Sequence, residues 1–516
     1  MRNLFITCLM ILCSVSLLAQ YSFPKSEKED KEKIMSSEYW KIWNPEVQAK
    51  IDKNIEKYRK ADGKITLTDY ASDTDIEIEQ ISHDFIFGAH IFNFNQLGRK
   101  EYNDKYKNLY GSLFNSATIA FYWKTFEMQP DRPRFKEEYW DTEKYWNNVK
   151  EPKKEPHWRR PAPDPVVEFC ESKGIRMHGH PLIWGNRKWH NPNWLIQNLM
   201  TKEEKEKMDK LIIEYGNIEN YLDSEKYAEE YNKLTVSQLE EMFPDFAKLL
   251  RTRFEKRIVD IANYYGDRIH SWDVVNESAT DHQRGLLIPG SNLAKSVYGI
   301  MPGDYTYEAF KVASKAFPSN VLLNINDYNL SQSYTDQTKD LLARNCKVDI
   351  MGSQMHLFNP QQCLDIAAGK PIQTPDHVWD WAKRLGEAKL PIHLSEITIT
   401  APGNDKKGRL IQAIITQNLY RLWFSIEPMM GITWWNVVDD CGAPGEPSIS
   451  GIFTRDMVAK PAFYALDNLI NNEWKTKIKA KPNKNGEVQF RGFKGNYRIT
   501  WTDKAGNKQT KEYYLK

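Results

Sequence analysis

Eight short apolar stretches, each followed by a longer amphipathic one, constrain the fold of this 516-residue chain more than any other feature. Their hydrophobicity is continuous rather than alternating, which is typical of strands buried on both faces. The longer segments between them, such as LEEMFPDFAKLLRTRFEKRIVDIANYY, have a helical period and indicate crossover helices. The pattern therefore predicts an α/β fold, a (β/α)8 TIM barrel. The stretches begin at Phe85, Ser116, Ile175, Ile269, Asn320, Val348, Pro391 and Gly431.

The segments outside this pattern predict a signal peptide and a small β appendage. Residues 1–19 combine Arg2 with an apolar run and end at Ala19, the layout of a cleaved secretory signal, so we expect a secreted, periplasmic or cell-surface protein. The text KITLTDYASDTDIEIEQI alternates with period two and predicts a β-hairpin near the N-terminus. The C-terminal segment reads as further strands, which would form the appendage together with this hairpin. The predicted domains are 20–81 for an N-terminal helix and hairpin, 82–466 for the barrel with insertions 131–163 and 201–245, and 467–516 for the C-terminal strands.

Composition excludes several classes of protein. Lys+Arg number 71 against 69 Asp+Glu, so the net charge of +2 lacks the positive field of a nucleic-acid binder. Charged residues make up 27% of the chain, which excludes a membrane bundle, and the apolar run at the N-terminus is too short for a membrane span. No CxxC pair suggests a zinc site, and we expect neither a metal nor a cofactor. The 17 Trp, 26 Tyr and 22 Phe supply flat side chains that can stack on rings. We expect a monomer.

Polar residues follow the apolar stretches at the positions where a TIM barrel carries its chemistry. Active sites of this fold lie on the loops at the C-terminal ends of the strands. Glu277 follows the fourth stretch and Glu396 ends the seventh, so we expect the two carboxylates to face one cavity. Glycoside hydrolysis uses such a pair, with retention at a separation of about 5–5.5 Å and inversion at about 6.5–9.5 Å, and the residues alone leave both open. The neighbours suited to sugar rings and hydroxyls are His178, His180, Trp184, Asn276, Asn326, Tyr328, Gln354, His356, Trp434 or Trp435 and Asn436, and Asp439 and Asp440 follow the eighth stretch.

Five motifs in fixed order carry a resemblance to a known family. They are HGHPLIWG around His180, SWDVVNES around Glu277, INDYN around Tyr328, GSQMH around His356 and HLSEIT around Glu396. With them the chain resembles glycoside hydrolase family 10, the endo-1,4-β-xylanase family, from about Ala61 to the text GIFTRDMVAKPAFYAL.

The resemblance implies a retaining endo-1,4-β-xylanase that acts on xylan or a related hemicellulose. It implies that Glu277 is the general acid/base and Glu396 the nucleophile of a double displacement. The implied substrate-binding residues are Lys124 and His180 on the glycone side, Asn276 at the 2-hydroxyl, Tyr328 along the cleft, Gln354 and His356 around the nucleophile, and Trp435 beneath the scissile sugar. Trp184, selected above as a stacking face, completes the predicted substrate-binding residues.

Several positions depart from the family pattern. Ala120 and Phe121 stand where the family usually has the Glu and Asn that hold a xylose, and Thr398 stands where it usually has an Asp two residues after the nucleophile. The resemblance therefore implies conserved chemistry with an altered glycone side.

Arginines near this altered side suggest an acidic substrate. Arg159 and Arg160 lie in the first insertion, and Arg187 follows Trp184. We hypothesise that they adapt the cleft to a decorated, glucuronate-bearing chain.

Two alternatives remain open. A metal-dependent barrel hydrolase would use His178 and His180 together with His356, His393 or Asp439. A secreted polysaccharide-binding protein without turnover would keep the aromatic cleft, and its two glutamates would have no catalytic role.

Overall fold

The computed structural model describes residues 33–136, 160–186, 188–207 and 233–516. The predicted signal peptide, residues 1–19, and the greater part of both predicted insertions lie outside the described residues. In the described part of the chain, no helix is long and apolar enough to cross a bilayer.

Eight parallel strands close into a barrel, which confirms the predicted TIM fold. Each strand pairs with the next along the chain, and the last pairs with the first to complete the cylinder. The strands are β1 (Ile86–His90), β2 (Ser116–Ala120), β3 (Arg176–His180), β4 (Ser271–Asn276), β5 (Leu322–Asp327), β6 (Ile350–Leu357), β7 (Ile392–Ile399) and β8 (Met429–Trp434). A two-residue strand, Ile183–Trp184, adds to β4.

The strand sequences explain why they occupy the centre of the molecule. All eight residues of β7 and all six of β4 are buried, as expected for strands covered on both faces. Gly179 in β3 allows the Trp272 indole to lie against the backbone, since a Cβ at Gly179 would come within 2.2 Å of that ring. Substitution at Gly179 would therefore displace β3, which carries His180 of the cleft.

Helices connect the strands and cover the outside of the barrel. Many begin with the expected signals: Asp405 accepts from Gly408 N at the start of Lys406–Phe424, and Thr374 caps Pro375–Leu385. The helices are Ser37–Ile42, Pro45–Tyr58, Lys100–Ser112, Trp123–Phe126, Pro163–Lys173, Trp194–Gln197, Val236–Met242, Pro244–Tyr265, Ala279–Gln283, Tyr305–Ala316, Gln332–Ala343, Pro360–Ala367, Pro375–Leu385, Lys406–Phe424 and Pro461–Asp467.

A buried arginine ties the ends of β2 and β3 together. Arg257, on the helix Pro244–Tyr265, donates from Nε to Leu182 O at 2.7 Å and from Nη2 to Pro181 O at 3.2 Å and to Phe121 O. The guanidinium thus donates hydrogen bonds to backbone carbonyl groups just after the two strands, and not to a carboxylate. These hydrogen bonds fix the two loops that follow the strands.

The β appendage forms as predicted from both termini, but the predicted N-terminal hairpin is wrong. Lys60–Thr66 pairs antiparallel with Glu487–Phe493, whereas Ile76–His83 lies between Lys477–Ala480 and Gly495–Thr502. A further strand, Lys508–Leu515, extends the second sheet.

The N-terminal strands pair with C-terminal strands because the appendage strands share one hydrophobic core. Ile65, Ile78, Val488, Phe490 and Ile499 form a cluster of their own, so each N-terminal strand buries its apolar face against C-terminal strands. The alternation gave the strands correctly, but pairing with a partner some 400 residues away carries no local signal.

Candidate active site

A cleft of about 910 Å³ lies at the C-terminal ends of the barrel strands. It brings together the two glutamates and every predicted substrate-binding residue except Lys124: Glu277, Glu396, His180, Trp184, Asn276, Tyr328, Gln354, His356 and Trp435. Lys124 is not among the described residues that line it. Its Nζ lies 3.3 Å from Lys188 O, so a glycone contact of Lys124 stays a prediction.

Glu396 is the buried carboxylate of the pair. It is 5% exposed near the middle of β7, and its Oε1 accepts from Asn326 Nδ2 at 2.8 Å. His356 Nε2 lies 3.4 Å from Oε2, and His180 Nε2 lies 3.8 Å from Oε1. Burial raises the pKa of Glu396 to about 8, and the negative charge of Glu277 adds to this effect while His180 opposes it. The carboxylate is therefore held in place with few charges to stabilise it.

Glu277 has more hydrogen-bond donors around it. It follows β4 directly with a left-handed φ of 56°, a conformation that costs a glutamate energy and is found at functional sites. Trp184 Nε1 donates to Oε2 at 3.0 Å and Tyr298 OH to the same oxygen at 2.7 Å, while Gln354 Nε2 donates to Oε1 at 3.3 Å. The two glutamates thus share a cleft but have different surroundings. Different surroundings allow two carboxyl groups of one site to have different catalytic roles.

Tyr298 was not found by sequence reasoning. It lies in the turn between two short antiparallel strands, Leu293–Ser296 and Gly299–Pro302, which fold back over the cleft after β4. A lone tyrosine in a turn gives no signal in the sequence, because only the tertiary fold brings it to Glu277.

Asn326 connects the carboxylate network. Its Nδ2 donates to both Asn276 Oδ1 and Glu396 Oε1 at 2.8 Å, and its own Oδ1 accepts from Ser395 Oγ at 2.5 Å. Gln354 Nε2 also donates to Asn276 Oδ1, at 3.2 Å. The sequence placed Asn326 at the barrel mouth, but its position between Asn276 and the nucleophile candidate is a structural finding.

Asp273 fixes the two histidines of β3. Its Oδ2 lies 2.9 Å from His178 Nε2 and 2.7 Å from His180 Nδ1, and His178 Nδ1 lies 2.9 Å from Ser271 Oγ. Burial alone would raise the pKa of Asp273, but the two imidazoles lower it well below its ordinary value. Because Asp273 takes Nδ1 of His180, the other ring nitrogen of His180 faces Glu396.

These contacts bear on the metal-dependent alternative. Both histidines of the HxH pair already have protein partners, while His393 Nε2 lies 2.8 Å from Thr433 Oγ1 and Asp439 Oδ1 accepts from Lys460 Nζ at 2.9 Å. Over the described ranges, His, Cys, Asp and Glu side chains nowhere gather in a group of three that could hold a metal ion. The proposed ligands are thus engaged by other protein groups.

Of the two adjacent tryptophans, Trp435 lines the cleft. Its ring meets that of His180 edge-on at 5.4 Å. Trp434 is fully buried and donates from Nε1 to Asn436 O at 2.9 Å, because successive residues of a strand point to opposite faces.

The side of the cleft formed after β1, β2 and β8 differs from the family pattern, as expected. Phe121 packs in the core, with its ring 4.6 Å from that of Trp272, and presents no polar group. Tyr122 and Arg160 line the cleft instead, with the Arg160 guanidinium 4.5 Å from the Phe92 ring. Glu446, which accepts from Asn436 Nδ2 at 2.7 Å, lies on the same side. Arg159 and Arg187 lie outside the described residues.

Thr398, at the position where the resemblance leads us to expect an Asp, contacts His356. Its Oγ1 lies 2.9 Å from His356 Nδ1, and the Phe358 ring stacks on the imidazole at 4.3 Å. His356 is thus oriented toward Glu396 by a neutral hydroxyl and a ring.

The fold resembles solved structures, with low sequence identity. Native xylanase 10B from Thermotoga maritima superposes with a TM-score of 0.50 at 19% identity, over 76% of this chain and 96% of that chain.

Curated relatives are similarly distant. Endo-1,4-beta-xylanase A of Thermoanaerobacterium saccharolyticum is 24% identical over 314 residues, and endo-1,4-beta-xylanase C of Paenibacillus barcinonensis is 24% identical over 432 residues. The matches cover 59% and 77% of this chain but only 22% and 32% of those proteins.

The family model of glycosyl hydrolase family 10 matches residues 79–469, a span that begins just before β1 and ends after the last barrel helix. The chain therefore belongs to glycosyl hydrolase family 10.

Proposed function

We propose that this protein is a retaining glycoside hydrolase that cleaves internal β-1,4 linkages of xylan or a decorated xylan. The observation that carries the proposal is the carboxylate pair from β4 and β7 in one aromatic cleft, each held in a different environment. The relatives named as endo-1,4-beta-xylanases support the same activity and substrate class.

Each role follows from the surroundings of the side chain. Glu396 attacks the anomeric carbon and forms a covalent glycosyl-enzyme, and its approach is fixed by Asn326 and His356. Glu277 protonates the leaving oxygen and then deprotonates the water that hydrolyses the intermediate. Asn276, tied to Asn326 and Gln354, is placed to hold a sugar hydroxyl, and Trp435 supplies a stacking face.

The finer proposals concern the chain that is cleaved and where the protein acts. Arg160 supports an acidic, glucuronate-bearing substrate, because its guanidinium lines the cleft, although Glu446 on the same side offsets its charge. The N-terminal signal-like segment supports a secreted or cell-surface location, and we propose a monomer that needs no cofactor.

A comparison of polymers tests the proposal. Xylan, glucuronoxylan, arabinoxylan and mixed-linkage glucan are incubated with the protein, and products are mapped by size and anomeric configuration. We expect xylo-oligosaccharides of several lengths, released first with retained configuration. Cleavage of the glucan alone, or release of inverted products, would contradict the proposal.

Asp273→Asn is expected to lower kcat/KM on xylan by about 10- to 100-fold, the cost of weakening charge-assisted hydrogen bonds to two histidines. The physical reason is that His180 is no longer fixed with one ring nitrogen toward Glu396. Kinetics and the melting temperature are measured together.

Ser271→Ala is the matched control, because it removes only a contact of His178 and should cost much less. Equal kinetics of Asp273→Asn and the wild type would show that the orientation of His180 is unimportant.

A further inference from the structure

The cleft has a second wall, formed after β5 and β6, that none of the assigned roles uses. In the circular strand order these strands lie across the barrel from β1 and β2, and therefore across the cleft from Tyr122 and Arg160. We call this surface the Arg384 wall and define it by the residues Ser331, Gln373, His377, Trp381 and Arg384, all of which line the cleft.

Three polar atoms of the Arg384 wall are buried without a hydrogen-bond partner in the described part of the chain. They are Ser331 Oγ, Gln373 Oε1 and Trp381 Nε1. Trp381 is only 2% exposed. Leaving a buried polar group unpaired costs about 1–3 kcal/mol, and most such groups are paired in native proteins. Three of them on one wall of a substrate cleft are consistent with a bound ligand that completes their hydrogen bonds.

The same wall combines a guanidinium with a helix N-terminus. Ser331 is the N-cap residue of the twelve-residue helix Gln332–Ala343, but its side chain makes no capping bond, so it does not satisfy the N–H groups of the first turn. Arg384 is anchored by donation from Nε to Leu330 O at 3.1 Å, and it takes part in none of the ion pairs found over the described ranges. A guanidinium and a helix N-terminus together favour an anion.

None of the carboxylates that line the described part of the cleft lies on the Arg384 wall. The carboxylates among the described residues that line the cleft are Glu277, Glu396 and Glu446, which follow β4, belong to β7 and follow β8. On the opposite side the negative charge of Glu446 acts on Arg160, so the Arg384 wall is the better site for a negative group.

We propose that the Arg384 wall binds a carboxylate-bearing sugar branch, a hexuronic acid attached to the backbone that lies in the cleft. This proposal rests on the proposed function and names the wall that recognises the branch. The branch carboxylate pairs with Arg384 and the helix N-terminus, while its hydroxyls accept from Trp381 Nε1 and donate to Gln373 Oε1.

The experiment compares glucuronoxylan with the same polymer after its carboxyl groups have been reduced to alcohols. Wild-type kcat/KM is expected to be about tenfold or more higher on the acidic polymer, the equivalent of one charged hydrogen bond. Arg384→Met should remove this preference, and it should lower kcat/KM on the reduced polymer much less than on the acidic one. Lys383→Met, the exposed neighbour on the same helix, is the matched control and should keep the preference.

Trp381→Phe keeps an aromatic ring but removes the N–H, and it serves as a second variant if Arg384→Met folds poorly. We expect it to lower kcat/KM by a smaller factor, and only on the acidic polymer. Equal wild-type rates on the two polymers would overturn the subsite and leave the proposed function standing. Equal losses on both polymers in Arg384→Met and Trp381→Phe would also overturn it. Failure to cleave any xylan would remove the proposed function itself, and the subsite with it.

Discussion

Replacement of Glu396 by alanine is expected to lower kcat on xylan by roughly 10⁴- to 10⁶-fold, because loss of a nucleophile removes the covalent step altogether. Reducing-sugar release is measured for the wild type and the variant under identical conditions. Glu446→Gln is the matched control: it removes another carboxylate of the same cleft that takes no part in bond breaking, so its loss should be far smaller. Equally low release by wild type and Glu396→Ala on every hemicellulose would identify a polysaccharide-binding protein instead.

The melting temperature of Glu396→Gln shows whether a loss of activity on replacing Glu396 comes from the missing carboxylate or from unfolding of the protein. Burial raises the pKa of Glu396 from 4.5 to about 8, so the folded protein binds a proton more tightly than the unfolded chain does. The contribution of this group to stability is therefore greatest at low pH and falls as pH rises from about 4.5 through about 8. The variant has no charge to bury, so we expect it to melt above the wild type at about pH 9 and close to it at about pH 4. A lower melting temperature at the higher pH would contradict this account of Glu396.

The sequence predicted those site residues that lie in or next to a recognisable strand or motif, and it missed those that only the folded chain brings to the cleft. Glu277 and Glu396 follow recognisable apolar strands within specific motifs, and the barrel then places them together. Tyr298 and Arg384 lie in a turn and on an outer helix, and only the folded chain brings them to the cleft. Trp434 and Trp435 were equivalent in the sequence, and strand register decided which of them faces the substrate.

The same distinction applies to the fold. Continuous apolar stretches predicted all eight barrel strands, because parallel strands covered on both faces have a characteristic sequence. The appendage strands were also predicted, but Lys60–Thr66 and Ile76–His83 join different partners, and that choice depends on packing with residues at the other end of the chain.

Replacement of Glu277 by alanine is expected to slow hydrolysis of xylan by about 10²- to 10⁴-fold, the usual contribution of general acid/base catalysis. Formation of the glycosyl-enzyme from dinitrophenyl xylosides should fall much less, because that leaving group departs without a proton. Rates are measured for a series of aryl xylosides of rising leaving-group pKa. Equal losses across the series would contradict the acid role of Glu277.

Azide distinguishes the two glutamates by stereochemistry. In Glu277→Ala the covalent intermediate still forms on Glu396, so azide attacks it from the opposite face and gives a glycosyl azide of retained configuration. In Glu396→Ala no intermediate forms, and azide that enters the vacated space attacks the substrate directly and gives the inverted product. Because both variants retain Trp184, Tyr298 and Asn326, the cleft should bind sugar in each. The two variants are therefore expected to give opposite anomers, and exchanged configurations would mean that the roles of Glu277 and Glu396 are exchanged as well.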